Sequence, residues 1–243
     1  VKAEKKVKAP RKSGGKGSVT PHYLEHRKRL RERFLKGGFE GFGDYEALEL
    51  LLTYAIPRKD VKPLAKELIG RFGSFRGVLD AGAEELASVR GVKERTAAFV
   101  LALKECAGLY LREAVLGRER ISSTGALLDY CSVKMGGLRD EQFRAVFLNS
   151  QNEVLCDEVI QEGTVDQSVV YPRKVMERAL HHKAAAIIVV HNHPGGNLKP
   201  SAEDRRLTAE LCGVARGLGI RVHDHLIIGR SGYFSFLERG LMG

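Results

Sequence analysis

Apolar residues recur along this chain with two periods, and the change between them divides it. In the first half the spacing is helical. Tyr23, Leu24, Leu30 and Phe34 make a modest stripe over residues 21–36. Leu48, Leu51, Leu52 and Ala55 repeat over the next helix, which Ile56-Pro57 ends. Asp60-Val61-Lys62-Pro63 opens a third helix running to Gly70, with Leu64, Leu68 and Ile69 inward. Glu84-Glu85-Leu86 starts a short helix that Gly91 breaks, and Arg95 to Leu111 form the longest. Residues 113–123 are charged and then Ser-rich, which marks a linker, and a helix follows from Thr124 to Cys131.

Beyond that helix strands enter. Phe143, Ala145 and Phe147 alternate with Arg144, Val146 and Leu148, Asn149-Ser150-Gln151-Asn152 turns the chain, and Glu153 to Ile160 returns as a second strand. A third strand is expected near Ser168-Val169-Val170, then a helix from Pro172 to His181. Ala184 to Val190 is a continuous apolar run, the mark of a buried strand. A helix begins near Ser201 with Leu207, Leu211, Val214 and Leu218 at helical spacing, and strands Arg221 to Ile228 and Tyr233 to Phe236 finish the chain. The pattern predicts a small all-α domain over residues 21–112, a linker over 113–123, and an α/β domain over 124–243 with a mixed sheet and flanking helices.

Charge changes the picture at one end only. The net charge is +10, and residues 1–36 hold 13 Lys and Arg against three Glu. The remaining residues carry 27 of each sign, so any electrostatic hold on phosphate belongs to the tail and first helix. Residues 1–20, rich in Lys, Gly, Ser and Pro, are expected to be a disordered basic tail. Arg27, Lys28, Arg29, Arg31 and Arg33 load the first helix as candidate phosphate contacts. Cys106, Cys131, Cys156 and Cys212 have no C-x-x-C spacing and read as reduced thiols of a cytoplasmic protein. No run of eighteen apolar residues and no signal-like segment occurs, so no membrane partner is expected.

The candidate chemistry lies where the buried strand runs out, at His191-Asn192-His193-Pro194. Residues two apart on an extended backbone point to the same side, so both imidazoles can converge. Asp204 follows on the helix that Ser201 begins. Two histidines and one carboxylate, with a coordination position left open, make the ligand set of a catalytic zinc ion. Ser201 and Asp204 also fit an S-x-x-D helix cap, and the two readings coexist. His223-Asp224-His225 repeats the H-x-H spacing, so that dipeptide pattern alone is weak; His223 and His225 are expected as strand residues or supports of the ligands.

The spaced pattern H-x-H-P-x6-S-x2-D resembles the signature of JAMM (MPN+) metalloproteases, and every position is filled. The text from Val170-Tyr171-Pro172 through His225-Leu226-Ile227-Ile228-Gly229 is similar to the RadC family, with Gly195 where those proteins commonly carry Ser. The resemblance implies an MPN-like domain holding one Zn2+ on His191, His193 and Asp204. It implies Glu141, just before the strand at Phe143, as the general base, with Glu158 and Glu162 as rivals. It implies Ser201 as a donor to the oxyanion. Val89-Arg90-Gly91-Val92-Lys93 resembles a helix-hairpin-helix turn, with Lys93 where that pattern has its second glycine. Two functions follow as expectations: a zinc-dependent peptidase or isopeptidase acting on a protein substrate, and a DNA-associated protein of the RadC repair type, holding DNA through the basic arm and Lys93. A nuclease ranks last, because one ion on two His and one Asp suits amide attack better than two-metal phosphate chemistry.

Overall fold

The computed structural model describes residues 22–116, 124–163 and 170–242. The expected basic tail, most of the expected linker, and all but Val170 of the expected third strand lie outside them. Two compact units divide the chain, Val1–Ala65 and Lys66–Gly243.

The first unit holds helices α1 (His22–Gly37) and α2 (Asp44–Ala55), which pack together, and the start of α3 (Lys62–Phe72). Leu30, Leu48, Leu50 and Leu52 are buried. Arg27 is buried with them, and its guanidinium donates to the carbonyls of Ile56 at 2.8 Å, Pro57 at 2.5 Å and Lys59. These carbonyls follow the end of α2, where a helix leaves acceptors without partners and favours a cation. Arg33 makes a forked pair with Glu46, at 2.7 and 3.2 Å.

The second unit is helical up to α7. Helix α4 (Phe75–Asp80), absent from the periodicity, is capped by Ser74, whose Oγ accepts from the Gly77 N–H at 3.0 Å. After α5 (Ala83–Ala87), Gly91 turns the chain at φ +100°, a left-handed conformation that glycine adopts freely. Val89 and Val92 on either side are buried, so the turn is anchored by packing. Helix α6 (Glu94–Leu116) packs on α7 (Thr124–Met135) and runs three residues into the segment expected as linker, with a fourth, Leu116, at its end.

A five-stranded mixed sheet follows, built from β1 (Glu141–Leu148), β2 (Val154–Gly163), β3 (Ala186–Asn192), β4 (Arg221–Gly229) and β5 (Gly232–Ser235). The spatial order is β2-β1-β3-β4-β5, and only β3 and β4 are parallel. That parallel pair needs a crossover, which α9 (Ala202–Gly217) supplies. One face packs on α7 through Leu127, Leu128, Cys131 and Met135, against Val146, Leu148, Ile188 and Leu226. The other packs on α8 (Pro172–His181) and α9 through Val175, Met176, Ala179, Leu211 and Ala215. Every residue of β3 is buried, as its unbroken apolar run requires when both faces are covered.

Helix α9 departs from its apolar spacing. Of the four apolar residues at helical spacing only Leu211 is buried; Leu207 is half-buried, and Val214 and Leu218 are exposed. Thr208, Leu211 and Ala215 form the buried face instead. The helix is turned so that Asp204 and Thr208 meet the end of β3, and that rotation carries Val214 and Leu218 outward.

All four cysteines are free thiols, and burial pushes Cys131 up to about 12. No helix among the described residues is long and apolar enough to cross a membrane.

Candidate metal centre

Strand register assembles the site. Phe143 of β1 lies opposite His191 of β3 in antiparallel pairing. Glu141 lies two residues before Phe143 and His193 two after His191, so strand alternation turns both to the side of that pair. The Glu141 carboxylate and the two imidazoles each offer a ligand atom within 4.8 Å of the others. His191 is buried and His193 half-buried. The His193 N–H still donates to the Ile228 carbonyl at 2.9 Å, continuing the pairing with β4. Then the chain reverses, with Gly196 at φ +77° donating back to the His193 carbonyl at 2.9 Å.

Asp204 arrives from the first turn of α9. Ser201 caps that helix: its Oγ accepts from the Asp204 N–H at 3.0 Å, and its own N–H donates to Asp204 Oδ2 at 2.7 Å. Its hydroxyl also lies 2.7 Å from Oδ2. Held in this way, Asp204 places Oδ1 3.2 Å from His191 Nε2 and Oδ2 3.7 Å from His193 Nε2. Burial opposes its ionisation, but the contacts with His191 and Ser201 outweigh that and hold the carboxyl well below its usual range.

These donors suit a divalent cation. His193 Nδ1 lies 2.5 Å from the Asn197 carbonyl, which can only accept, so Nδ1 carries the proton and Nε2 a lone pair. That lone pair sits 2.9 Å from His191 Nε2. His191 Nε2 lies 2.9 Å from His193 Nε2 and 3.2 Å from Asp204 Oδ1, near the roughly 3.3 Å expected between ligands on a tetrahedral ion with bonds of about 2.0–2.1 Å, and His193 Nε2 lies 3.7 Å from the other carboxylate oxygen, Oδ2. Glu141 stands beside this trio from a different strand.

The sequence pattern left several neighbours unassigned. His225 is fully buried, with Nε2 2.8 Å from His191 Nδ1 and Nδ1 2.7 Å from Thr208 Oγ1. Burial, and then the nearby His191, keep His225 well below the usual histidine range, so the ring is neutral. His223 points elsewhere, with Nε2 2.8 Å from Asn152 Oδ1. Asn192, between the two histidines, faces the opposite side. Its Oδ1 accepts from the Gln142 N–H at 2.8 Å and its Nδ2 donates to the Asp140 carbonyl at 3.1 Å. One buried amide therefore clamps the backbone on both sides of Glu141. The signal was the N of H-N-H, legible only once register is known. Asn192→Ala is expected to lower stability by about 1–3 kcal/mol, because it leaves those groups unpaired; urea denaturation measures it.

The rival acids differ in surroundings. Glu158 accepts from Arg178 Nε and Nη2, both at 2.7 Å, and lies 2.7 Å from His182 Nε2. With Cys156 these form a second group of metal-ligand types, but Arg178 already supplies the cation there. The Arg178 hydrogen bonds hold the Glu158 carboxyl down at about 2. Its stabilisation is therefore complete above the unfolded value of about 4.3 and is lost as pH falls toward about 2. Glu158→Gln should be less stable than wild type at pH 7, with the gap narrowing in urea titrations as pH falls from about 4.3 toward about 2. Glu162 accepts from Gln142 Nε2 at 2.6 Å. Together with Glu141, Asp140 and Arg139 it lines an open cleft of about 380 Å3 at the start of β1.

The expected phosphate contacts separate into two kinds. Arg27 is withdrawn, since its guanidinium is buried on backbone carbonyls, and Arg33 is taken up by Glu46. Lys28, Arg29 and Arg31 are exposed on α1, and Lys93 is exposed beside the Gly91 turn.

A helix-sheet-helix sandwich whose central strand ends in H-x-H, facing an aspartate on the crossover helix, is a JAB-type (MPN) α/β domain. Residues 121–241 match the family described as RadC-like JAB domain, and residues 22–98 match the family UPF0758 N-terminal. The chain is similar to a UPF0758 protein of Ruegeria pomeroyi, 47% identical over 223 residues that cover 91% of this chain and 100% of the relative. It is also similar to a UPF0758 protein of Rhodobacter capsulatus, 46% identical over 213 residues covering 88% and 100%. It belongs to the RadC-like UPF0758 family.

Proposed function

We propose that this protein is a zinc-dependent hydrolase of peptide or isopeptide bonds. The observation that carries the reading is the convergence of His191 Nε2, the His193 Nε2 lone pair and the Asp204 carboxylate, with Glu141 alongside. A bound Zn2+ would acidify water and polarise the scissile carbonyl. His191, His193 and Asp204 would hold the ion. Glu141 accepts the proton of the attacking water and passes it to the leaving nitrogen. Ser201 has one hydroxyl proton, now facing Asp204 Oδ2; turning it outward lets it donate to the oxyanion. Glu141 also lines the open cleft at the start of β1, which supports that side as the approach of a peptide.

The test combines metal analysis of the purified full chain with a proteome-wide cleavage screen, wild type against Glu141→Ala. About one zinc per chain, and cleavage products present only with wild type, support the reading. Protein without stoichiometric zinc, unchanged by added zinc, overturns it.

A second reading, DNA binding, rests on the exposed cations Lys28, Arg29, Arg31 and Lys93. Replacing the first three with alanine should weaken binding to duplex DNA and flatten its dependence on salt. Chelation should leave that binding unchanged.

A further inference from the structure

A histidine can offer Nε2 to a cation only if its proton sits on Nδ1, and the partner of Nδ1 decides that. For His193 the partner is a carbonyl, which leaves no choice. For His191 the partner is Nε2 of a second imidazole, His225, which can either donate or accept. The decision therefore passes to the far nitrogen of His225, which faces Thr208 Oγ1 at 2.7 Å. Thr208 has one hydroxyl proton, and Oγ1 lies 2.6 Å from the Asp204 backbone carbonyl. A carbonyl can only accept, so that proton belongs to Asp204. Oγ1 then accepts from His225 Nδ1–H, His225 Nε2 accepts from His191 Nδ1–H, and His191 Nε2 is the nitrogen left to face Asp204 and His193.

The chain of contacts closes on itself. It starts at the Asp204 carbonyl and ends where the Asp204 carboxylate meets His191 Nε2 at 3.2 Å. Thr208, His225 and His191 are all buried, 1%, 0% and 1% exposed, so water has little access to compete for these bonds. A purely apolar contact would have sufficed for packing at position 208, where the neighbouring inward residues are Leu211 and Ala215.

We propose that Thr208 and His225 are positioning residues that keep a proton on His191 Nδ1, so that Nε2 is the nitrogen turned to the cation position. The inference rests on His191 as a metal ligand, but the tautomer can be read without metal, so the two fail separately.

The experiment is long-range 1H–15N NMR of the imidazoles in the chelated full chain, followed by zinc titration. In wild type, His191 is expected as the Nδ1–H tautomer. Thr208→Val keeps the shape and removes the acceptor; His191 should become a mixture of tautomers, and zinc affinity should fall about 10–100-fold. Thr208→Ser should restore both, which a packing role for the γ-methyl would not allow. A wild-type His191 found mainly as Nε2–H overturns the proposal even if zinc binds. So does a Thr208→Val protein with unchanged tautomer and affinity. If Thr208→Val fails to fold, the wild-type spectrum and the Thr208→Ser affinity decide alone. The expected tautomers without zinc binding would leave the relay standing and overturn the hydrolase reading.

Discussion

Glu141→Gln is expected to keep zinc at about one per chain and to lower hydrolysis by about 10²–10⁴-fold, the range typical for loss of a general base. Glutamine preserves the shape and hydrogen-bonding reach of glutamate but cannot take a proton. Glu141 comes from β1, whereas the three metal ligands come from β3 and α9, so its loss leaves their geometry alone. Asn192 continues to clamp residues 140 and 142 in the variant, so the side chain stays where it was. The comparison therefore separates proton transfer from assembly of the site. Equal turnover by variant and wild type would remove Glu141 from the mechanism, and Glu162, on the same cleft, would be the next acid to test.

His193→Ala is expected to lose both metal and activity. Two of the three donors remain, too few to hold a catalytic zinc ion, which takes three protein ligands. The readout need not be catalytic. A ligand that binds only the folded state stabilises it by about 2.7 kcal/mol when present at 100 times its Kd. Zinc should raise the melting temperature of wild type and leave that of His193→Ala unmoved. His193 is the better probe because it is half-buried, whereas His191 is enclosed and its removal also strands His225. A variant that still takes up one zinc, with the same thermal shift, would place the ion elsewhere.

Much of the architecture was legible in the chain. The helical repeats of α1, α2 and α3, the alternation in β1, the unbroken apolar run of β3 and the proline that opens α8 all signal local structure through local spacing. The convergence of His191, His193 and Asp204 was legible too, because H-x-H on a strand end and S-x-x-D on a helix start are short-range arrangements. Helix α4 was not: six residues are too few for a period to emerge.

Three features needed the assembled molecule. Arg27 reads as one more cation in a basic helix, yet it lies beneath the surface, because its guanidinium is drawn onto the carbonyls that follow the end of α2, some thirty residues away. The rotation of α9 contradicts its own apolar stripe, because Asp204 and Thr208 must face β3 and the exposed Val214 and Leu218 cost less than unpaired polar groups at the sheet. The roles of Asn192 and His225 depend on which strands lie beside β3 and in what register. Periodicity is carried by neighbours in sequence, and so a single chain reveals it. The partner of a buried polar atom is chosen by strand order and register, where a shift of one residue turns every side chain to the opposite face.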